Sequence, residues 1–233
     1  MEEGGLPGRG SGKESVMKKA IDLNRRDCIR FACAAAALPW ALSARAAEPP
    51  LILVVGDSMS AEYGIARGSG WVALLEQRLA AEKVAARVVN ASVSGDTTAG
   101  GRSRLPALLK NHPPAVVVIE LGGNDALRGL SLEMTAANLT AMTQAAQQAG
   151  ARVLLVGMQV PPNYGADYGR RFEALFGQVA QAEKAALVPF LLKGVADGDD
   201  PTALFQPDRI HPRAEAHPII LDNVWPTLRG LLR

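Results

Sequence analysis

From Leu51 onward, short apolar runs alternate with longer amphipathic stretches. Leu51–Val55, Ala86–Ala91, Val116–Leu121, Arg152–Met158 and Leu187–Phe190 read as strands. The first, third and fourth are almost continuously apolar, as strands covered on both faces are. The stretches between them carry helical spacing. Trp71, Leu74, Leu75 and Leu79 share one face at i, i+3, i+4 and i+8. A second helix is predicted over about Thr98 to Lys110, and a third starts near Ser131 and stops at Gly150, a natural C′ glycine. A fourth covers about Tyr168–Ala185, and the last follows Pro218, with Pro226 expected to bend it. Strand–helix alternation implies a parallel sheet with right-handed crossovers. The expectation is a three-layer α/β/α domain with five parallel strands in the flavodoxin-like order 2-1-3-4-5.

Positions 1–46 break this pattern. Arg25 and Arg26 precede an apolar run from Phe31 to Leu42, interrupted by Pro39, and Ala44-Arg45-Ala46 closes it with small residues. A basic start, a short apolar middle and an Ala-x-Ala exit make a secretory signal peptide, too short to span a bilayer as an ordinary helix. A buried N-terminal helix would explain neither the paired arginines nor the Ala-x-Ala. Arg25-Arg26-Asp27-Cys28-Ile29 resembles a twin-arginine signal without its usual Phe-Leu. The organisation expected is therefore an N-terminal extension and leader over 1–46 and one domain over 47–233. The mature product would be periplasmic or secreted, with no stable membrane anchor once the leader is removed.

The leader changes how charge and cysteines read. The whole chain carries 25 basic and 23 acidic residues, a net charge of +2. The leader holds 8 of the basic and 5 of the acidic residues, so the mature part is close to neutral at −1. Nothing in that balance asks for a nucleic-acid partner. Both cysteines, Cys28 and Cys33, lie in the leader, which leaves the mature part without a disulfide or a thiol nucleophile.

In such a sheet, ligands bind beyond the carboxyl ends of the strands. Four loops there hold the unusual residues: Gly56-Asp57-Ser58-Met59-Ser60, Ser94-Gly95-Asp96-Thr97, Gly122-Gly123-Asn124-Asp125 and Asp208-Arg209-Ile210-His211-Pro212. Acyl transfer needs a hydroxyl nucleophile, an imidazole to take its proton and a carboxylate to orient the imidazole. It also needs donors already in place for the oxyanion. Ser58, His211 and Asp208 fill the first three places. The Ser58 N–H, the Gly95 N–H and the Asn124 amide fill the last. His112 sits beside two prolines at the amino end of the third strand, a surface position. His217 has no carboxylate at similar spacing and reads as structural. Asp57, Asp96 and Asp125 read as acceptors for loop backbone. Taken singly, a serine, a turn asparagine or a Gly-Asp-Ser tripeptide is an ordinary loop feature.

In order, the four blocks resemble those of the SGNH (GDSL) hydrolases. The runs Ser92-Val93-Ser94-Gly95-Asp96-Thr97 and Glu120-Leu121-Gly122-Gly123-Asn124-Asp125 are similar to its bacterial arylesterase and periplasmic acyl-thioesterase/lysophospholipase branch. So is Met158-Gln159 followed by Pro161-x-Asn163-Tyr164-Gly165. Met59 replaces the usual Leu, a volume-conserving change. The resemblance implies Ser58 as nucleophile, Asp208 and His211 as the rest of a triad, and Ser58, Gly95 and Asn124 as the oxyanion hole. The substrate it implies is a small-molecule acyl ester or thioester, such as an aryl ester, acyl-CoA or lysophospholipid, with no cofactor and no metal. The loop from Gln159 to Tyr168 is an ordinary surface loop or an apolar wall built from Val160, Pro161, Pro162 and Tyr164. The resemblance favours a wall that contacts the acyl chain, with Pro162 and Tyr164 as substrate-binding residues.

Other hydrolase chemistries fit less well. The α/β-hydrolase elbow needs Gly-x-Ser-x-Gly, and Ser60 occupies its second glycine. Three scattered histidines make no metal set, and no glycine-rich nucleotide loop follows a strand. Two alternatives remain: a small-acyl deacetylase acting on carbohydrates, and a catalytically silent lipid- or carbohydrate-binding module on the same fold.

Overall fold

The structure, a computed structural model, describes residues 48–233; the leader expected over 1–46 lies outside the described residues. Five strands form one parallel sheet in the order β2-β1-β3-β4-β5. They are β1 (Leu51–Gly56), β2 (Arg87–Asn90), β3 (Val116–Glu120), β4 (Arg152–Val156) and β5 (Ala186–Val188). Every residue of β1 and β3 is buried, which explains their unbroken apolar runs. The edge strand β2 is half open to solvent and correspondingly mixed in composition.

The helices are α1 (Trp71–Ala81), α2 (Thr98–Asn111), α3 (Gly123–Leu127), α4 (Leu132–Gln148), α5 (Ala166–Ala182) and α6 (His217–Gly230). The chain enters at the middle of the sheet, turns outward through α1 to β2, then crosses back through α2 to β3. Right-handed crossovers in opposite directions put their helices on opposite faces. Accordingly α1 packs with α6 on one face, and α2, α4 and α5 line the other. Trp71, Leu75 and Leu79 of α1 are buried, Leu74 only partly.

Among the differences from expectation are two strand ends and one helix. The fifth strand ends at Val188, because Pro189, one residue on, has no N–H to continue the ladder. The fourth ends at Val156, where Gly157 turns the chain: its N–H reaches the Val188 carbonyl and its carbonyl takes the Leu191 N–H. The short helix α3 is unannounced by any apolar period, being five residues that begin with glycine. The last helix, α6, begins at His217 and runs through Pro226 to Gly230.

The strand order reverses at β1, with β2 laid on one side of it and β3 on the other, and this opens a crevice beyond the carboxyl ends of β1 and β3. Both strands deliver candidate residues directly: Ser58 follows β1 by two positions, and Asn124 follows β3 by four.

Candidate active site

The nucleophile turn begins as β1 ends. The Asp57 carbonyl accepts the N–H groups of Ser60 (3.2 Å) and Ala61 (3.0 Å), and its Oδ1 accepts that of Met59 (3.0 Å). This Asx-type turn folds the chain away from the sheet and leaves Ser58 half-buried at its apex. Gly56 is required by its neighbours: a Cβ there would lie 2.8 Å from both Glu120 Oε2 and Ser60 Oγ.

Asp208 builds the second loop. Its Oδ1 accepts the N–H groups of Ile210 (2.9 Å) and His211 (3.0 Å), with Arg209 between them at φ 56°. Its Oδ2 lies 2.7 Å from His211 Nδ1, and His211 Nε2 lies 2.8 Å from Ser58 Oγ. Partial burial pushes the Asp208 carboxyl up. The backbone and ring hydrogen bonds from His211, with the Ile210 N–H, outweigh that and hold it at about 2. An ionised Asp208 assigns the ring proton to Nδ1, which leaves Nε2 to accept the Ser58 Oγ–H.

Of the remaining candidate donors, Asn124 is tied to the same turn. Asn124 Nδ2 donates to Asp57 Oδ2 at 2.9 Å, which leaves its second amide hydrogen free. Gly95 sits at φ +79°, a conformation that favours glycine. Its carbonyl accepts from the Arg128 guanidinium at 2.7 Å, tying its loop to the end of α3. Neither the Ser58 N–H nor the Gly95 N–H has an acceptor among the described residues. The geometry therefore offers a relayed base at Ser58 Oγ and uncommitted N–H donors from three loops.

The other acidic loop residues act as expected. Asp96 accepts from Thr97 N–H (3.0 Å) and Arg104 Nε (2.7 Å), while Asp125 takes the N–H (2.9 Å) and hydroxyl (2.5 Å) of Thr98 at the start of α2. His217 is structural: its Nδ1 accepts the Trp71 N–H at 3.0 Å, satisfying an otherwise orphaned donor at the start of α1. Burial holds its pKa down against the pull of Glu62, so the ring stays neutral and able to accept. His112 is half-buried where α2 ends.

Glu120, Ser60, Trp71 and Arg104 were not anticipated. Glu120 closes β3 and is 2 % exposed. Its Oε2 accepts the Ser60 hydroxyl at 2.7 Å, and Ser60 Oγ accepts the Trp71 indole N–H at 3.1 Å. Burial, reinforced by the Asp57 charge, pushes the Glu120 carboxyl well above its ordinary value and favours its protonated form. Burial likewise raises Asp57 to about 6, against the pull of the Met59 and Asn124 hydrogen bonds. Arg104 bridges two loops, donating to Asp96 and to the carbonyls of Ala91 and Gly56. Ser60 and Glu120 stand in runs already singled out and Trp71 on a predicted buried face, but nothing in the sequence pointed to the bonds that join them.

Tyr164 is not hydrogen-bonded to this cluster. It stacks on Tyr168 at 6.2 Å, which stacks in turn on Phe172 at 6.4 Å. The Pro162 side chain is not among those described.

A doubly wound sheet with a Ser–His–Asp relay at its carboxyl edge defines a hydrolase of acyl-transfer type. Residues 54–219 match the GDSL-like Lipase/Acylhydrolase family, and the chain belongs to it; it is a carboxylic-ester hydrolase. It is 53% identical over 195 residues to Esterase TesA of Pseudomonas aeruginosa, covering 84% of this chain and 96% of that one. It is 40% identical over 191 residues to Thioesterase 1/protease 1/lysophospholipase L1 of Escherichia coli, covering 82% and 89%. A crystal structure of TesA superposes with a TM-score of 0.75 at 55% identity, covering 78% of this chain and 99% of that chain. The catalytically silent alternative is thereby set aside.

Proposed function

We propose that the chain hydrolyses acyl esters and thioesters through a covalent Ser58 intermediate. The observation that carries this is the continuous relay of 2.8 Å from Ser58 Oγ to His211 Nε2 and 2.7 Å from Nδ1 to Asp208. His211 takes the hydroxyl proton as Ser58 Oγ attacks the acyl carbon. The oxyanion is met by the N–H groups of Ser58 and Gly95 and the free amide hydrogen of Asn124. The imidazolium, held by ionised Asp208, then protonates the departing alkoxide or thiolate. Water, deprotonated by the same ring, releases the acid from Ser58.

The kinship with an esterase and with a thioesterase/lysophospholipase supports aryl esters, acyl-CoA and lysophospholipids as the substrate class. Among the described residues no helix is long and apolar enough to cross a membrane. The basic, apolar and Ala-x-Ala pattern of 1–46 supports export, with the mature chain over 47–233 beginning near Ala47.

The test is a chain-length series of p-nitrophenyl esters beside acyl-CoA, lysophospholipid and an acetylated sugar, with Ser58→Ala as control. Expected are turnover of acyl esters and thioesters, loss of roughly 10⁵–10⁶ in kcat for Ser58→Ala, and labelling of Ser58 by a serine-directed phosphonate. Near-wild-type turnover by Ser58→Ala would overturn the mechanism. Turnover of the acetylated sugar alone would favour the deacetylase.

A further inference from the structure

Asp208 and His211 ride on a loop that is closed upon itself. Gln206 N–H donates to the His211 carbonyl (2.7 Å), Arg213 N–H to that of Leu204 (2.8 Å), and Phe205 bridges Pro212. The Arg213 guanidinium adds bonds to the carbonyls of Phe205 (2.8 Å) and Ala203 (2.7 Å). All of these act within the loop, and none fixes its distance from Ser58, 153 residues earlier.

Two side-chain contacts do. Gln206 Nε2 donates to the Tyr63 carbonyl at 2.9 Å and to the Pro212 carbonyl at 3.0 Å. An amide nitrogen has two hydrogens, so both are used, one on each loop. Apart from the Ser58–His211 bond itself, this is the only hydrogen bond between 57–64 and 203–213 among the described residues. The chain makes room for it: Gly64 sits at φ +71°, and a Cβ there would fall 2.1 Å from Gln206 Oε1. Beside it the Tyr63 ring lies on the His211 ring, centroids 4.3 Å apart and tilted by 38°. Tyr63 remains 50% exposed, so burial of its own apolar surface does not explain its placement.

We propose that Gln206 and Tyr63 are positioning residues, a clasp that registers the histidine loop against the nucleophile turn. The proposal rests on the Ser58–His211–Asp208 reading given above. A base must sit within hydrogen-bond reach of the proton it takes, and a displacement of about 1 Å costs on the order of 10²-fold in rate. The Gln206 amide holds the two backbones together, and the Tyr63 ring limits rotation of the imidazole.

The deciding variant is Gln206→Glu, which keeps size and shape but replaces two donors with acceptors facing two carbonyls. Its kcat should fall by about 10²-fold, with KM changed much less and phosphonate labelling of Ser58 slowed in parallel. Gln206→Met, apolar and uncharged, should behave alike, which separates loss of the clasp from a new charge. Tyr63→Ala should lower kcat in the same sense, and Tyr63→Phe, which keeps the ring, should rescue it. Melting temperatures identify any variant that simply fails to fold. A folded Gln206→Glu or Gln206→Met with wild-type kcat and labelling rate, beside an inactive Ser58→Ala, would overturn the clasp and leave the triad standing. Activity in Ser58→Ala would overturn the triad instead.

Discussion

Asp57 holds the Asn124 carboxamide at 2.9 Å, so one amide hydrogen is committed inside the protein and the other has no acceptor among the described residues. A carboxamide bound this way cannot flip its oxygen toward a developing negative charge without losing that bond. Its orientation is set before a substrate arrives, which is what makes a donor effective in the transition state.

Asn124→Ala should therefore lower kcat by roughly 10²–10³, about 3–4 kcal/mol, with KM much less affected. Asp57→Ala should act in the same direction by releasing the amide. If the two residues work as one device, the double variant should cost less than the sum of the singles. Strict additivity in steady-state kinetics would show that Asp57 acts by another route.

Asp208→Asn should cost on the order of 10⁴ in kcat, less than removal of Ser58 or His211. The amide can present a hydrogen where the carboxylate accepted one, favouring the wrong tautomer of His211. Because Asp208 stays ionised down to about pH 2, its own protonation should not shape the activity profile at ordinary acidities. Steady-state kinetics of Asp208→Asn beside His211→Ala check the ranking, and a loss as large as that of His211→Ala would overturn it.

Glu120 gives a prediction about stability. Both it and Asp57 bind a proton more tightly folded than unfolded, so their contribution is full at low pH and fades as pH rises. For Asp57 the window runs from about 4 to about 6; for Glu120 it opens at about 4.5 and runs upward. Glu120→Gln removes that one titration while keeping shape. As pH rises from about 4.5 the variant should gain on the parent protein with a slope of up to about 1.4 kcal/mol per pH unit. Denaturant melts at several pH values measure this, and parallel stability curves would show that Glu120 is already ionised in the fold.

The sheet was legible because β1, β3 and β4 are apolar for a simple reason: both faces are covered. The contacts that join Ser58, His211 and Asp208, and that tie Asn124 to the same turn, were legible because each residue lies in a short local pattern, after β1, after β3 or within the loop 208–212. Glu120 was not, since its partner Ser60 is 60 residues away and a lone acid ending a buried strand looks like the start of a loop. Nor was the bond between His217 and the Trp71 N–H, 146 residues apart, although the missing carboxylate marked His217 as structural. The helix α3 escaped because two of its features, an opening glycine and an Asn-Asp pair, are those of a plain turn.

Tyr164 bears on acyl-chain length. It caps a row of rings: Tyr168 stacks on it, Phe172 lies parallel to Tyr168 at 4°, and Phe176 meets Phe172 edge-on at 5.3 Å. At its foot, Phe176 lies 3.1 Å from where a Cβ on Gly122 would be, two residues before Asn124. The loop beyond β4 is thus anchored through the core to the segment that carries Asn124. Tyr164 is the outermost ring and only half-buried, so Tyr164→Ala should leave the fold intact, costing about 0.5–1.5 kcal/mol of ring pairing. If its face also covers the acyl chain, the loss should grow with chain length, since each methylene buried is worth about 0.8 kcal/mol. Tyr164→Ala, and Pro162→Gly in the same loop, should then lower kcat/KM for octanoyl esters more than for acetyl esters. Both p-nitrophenyl esters assayed on the same preparations decide it. An equal loss on the two would mean that the loop supports the site through the aromatic row without reading the chain.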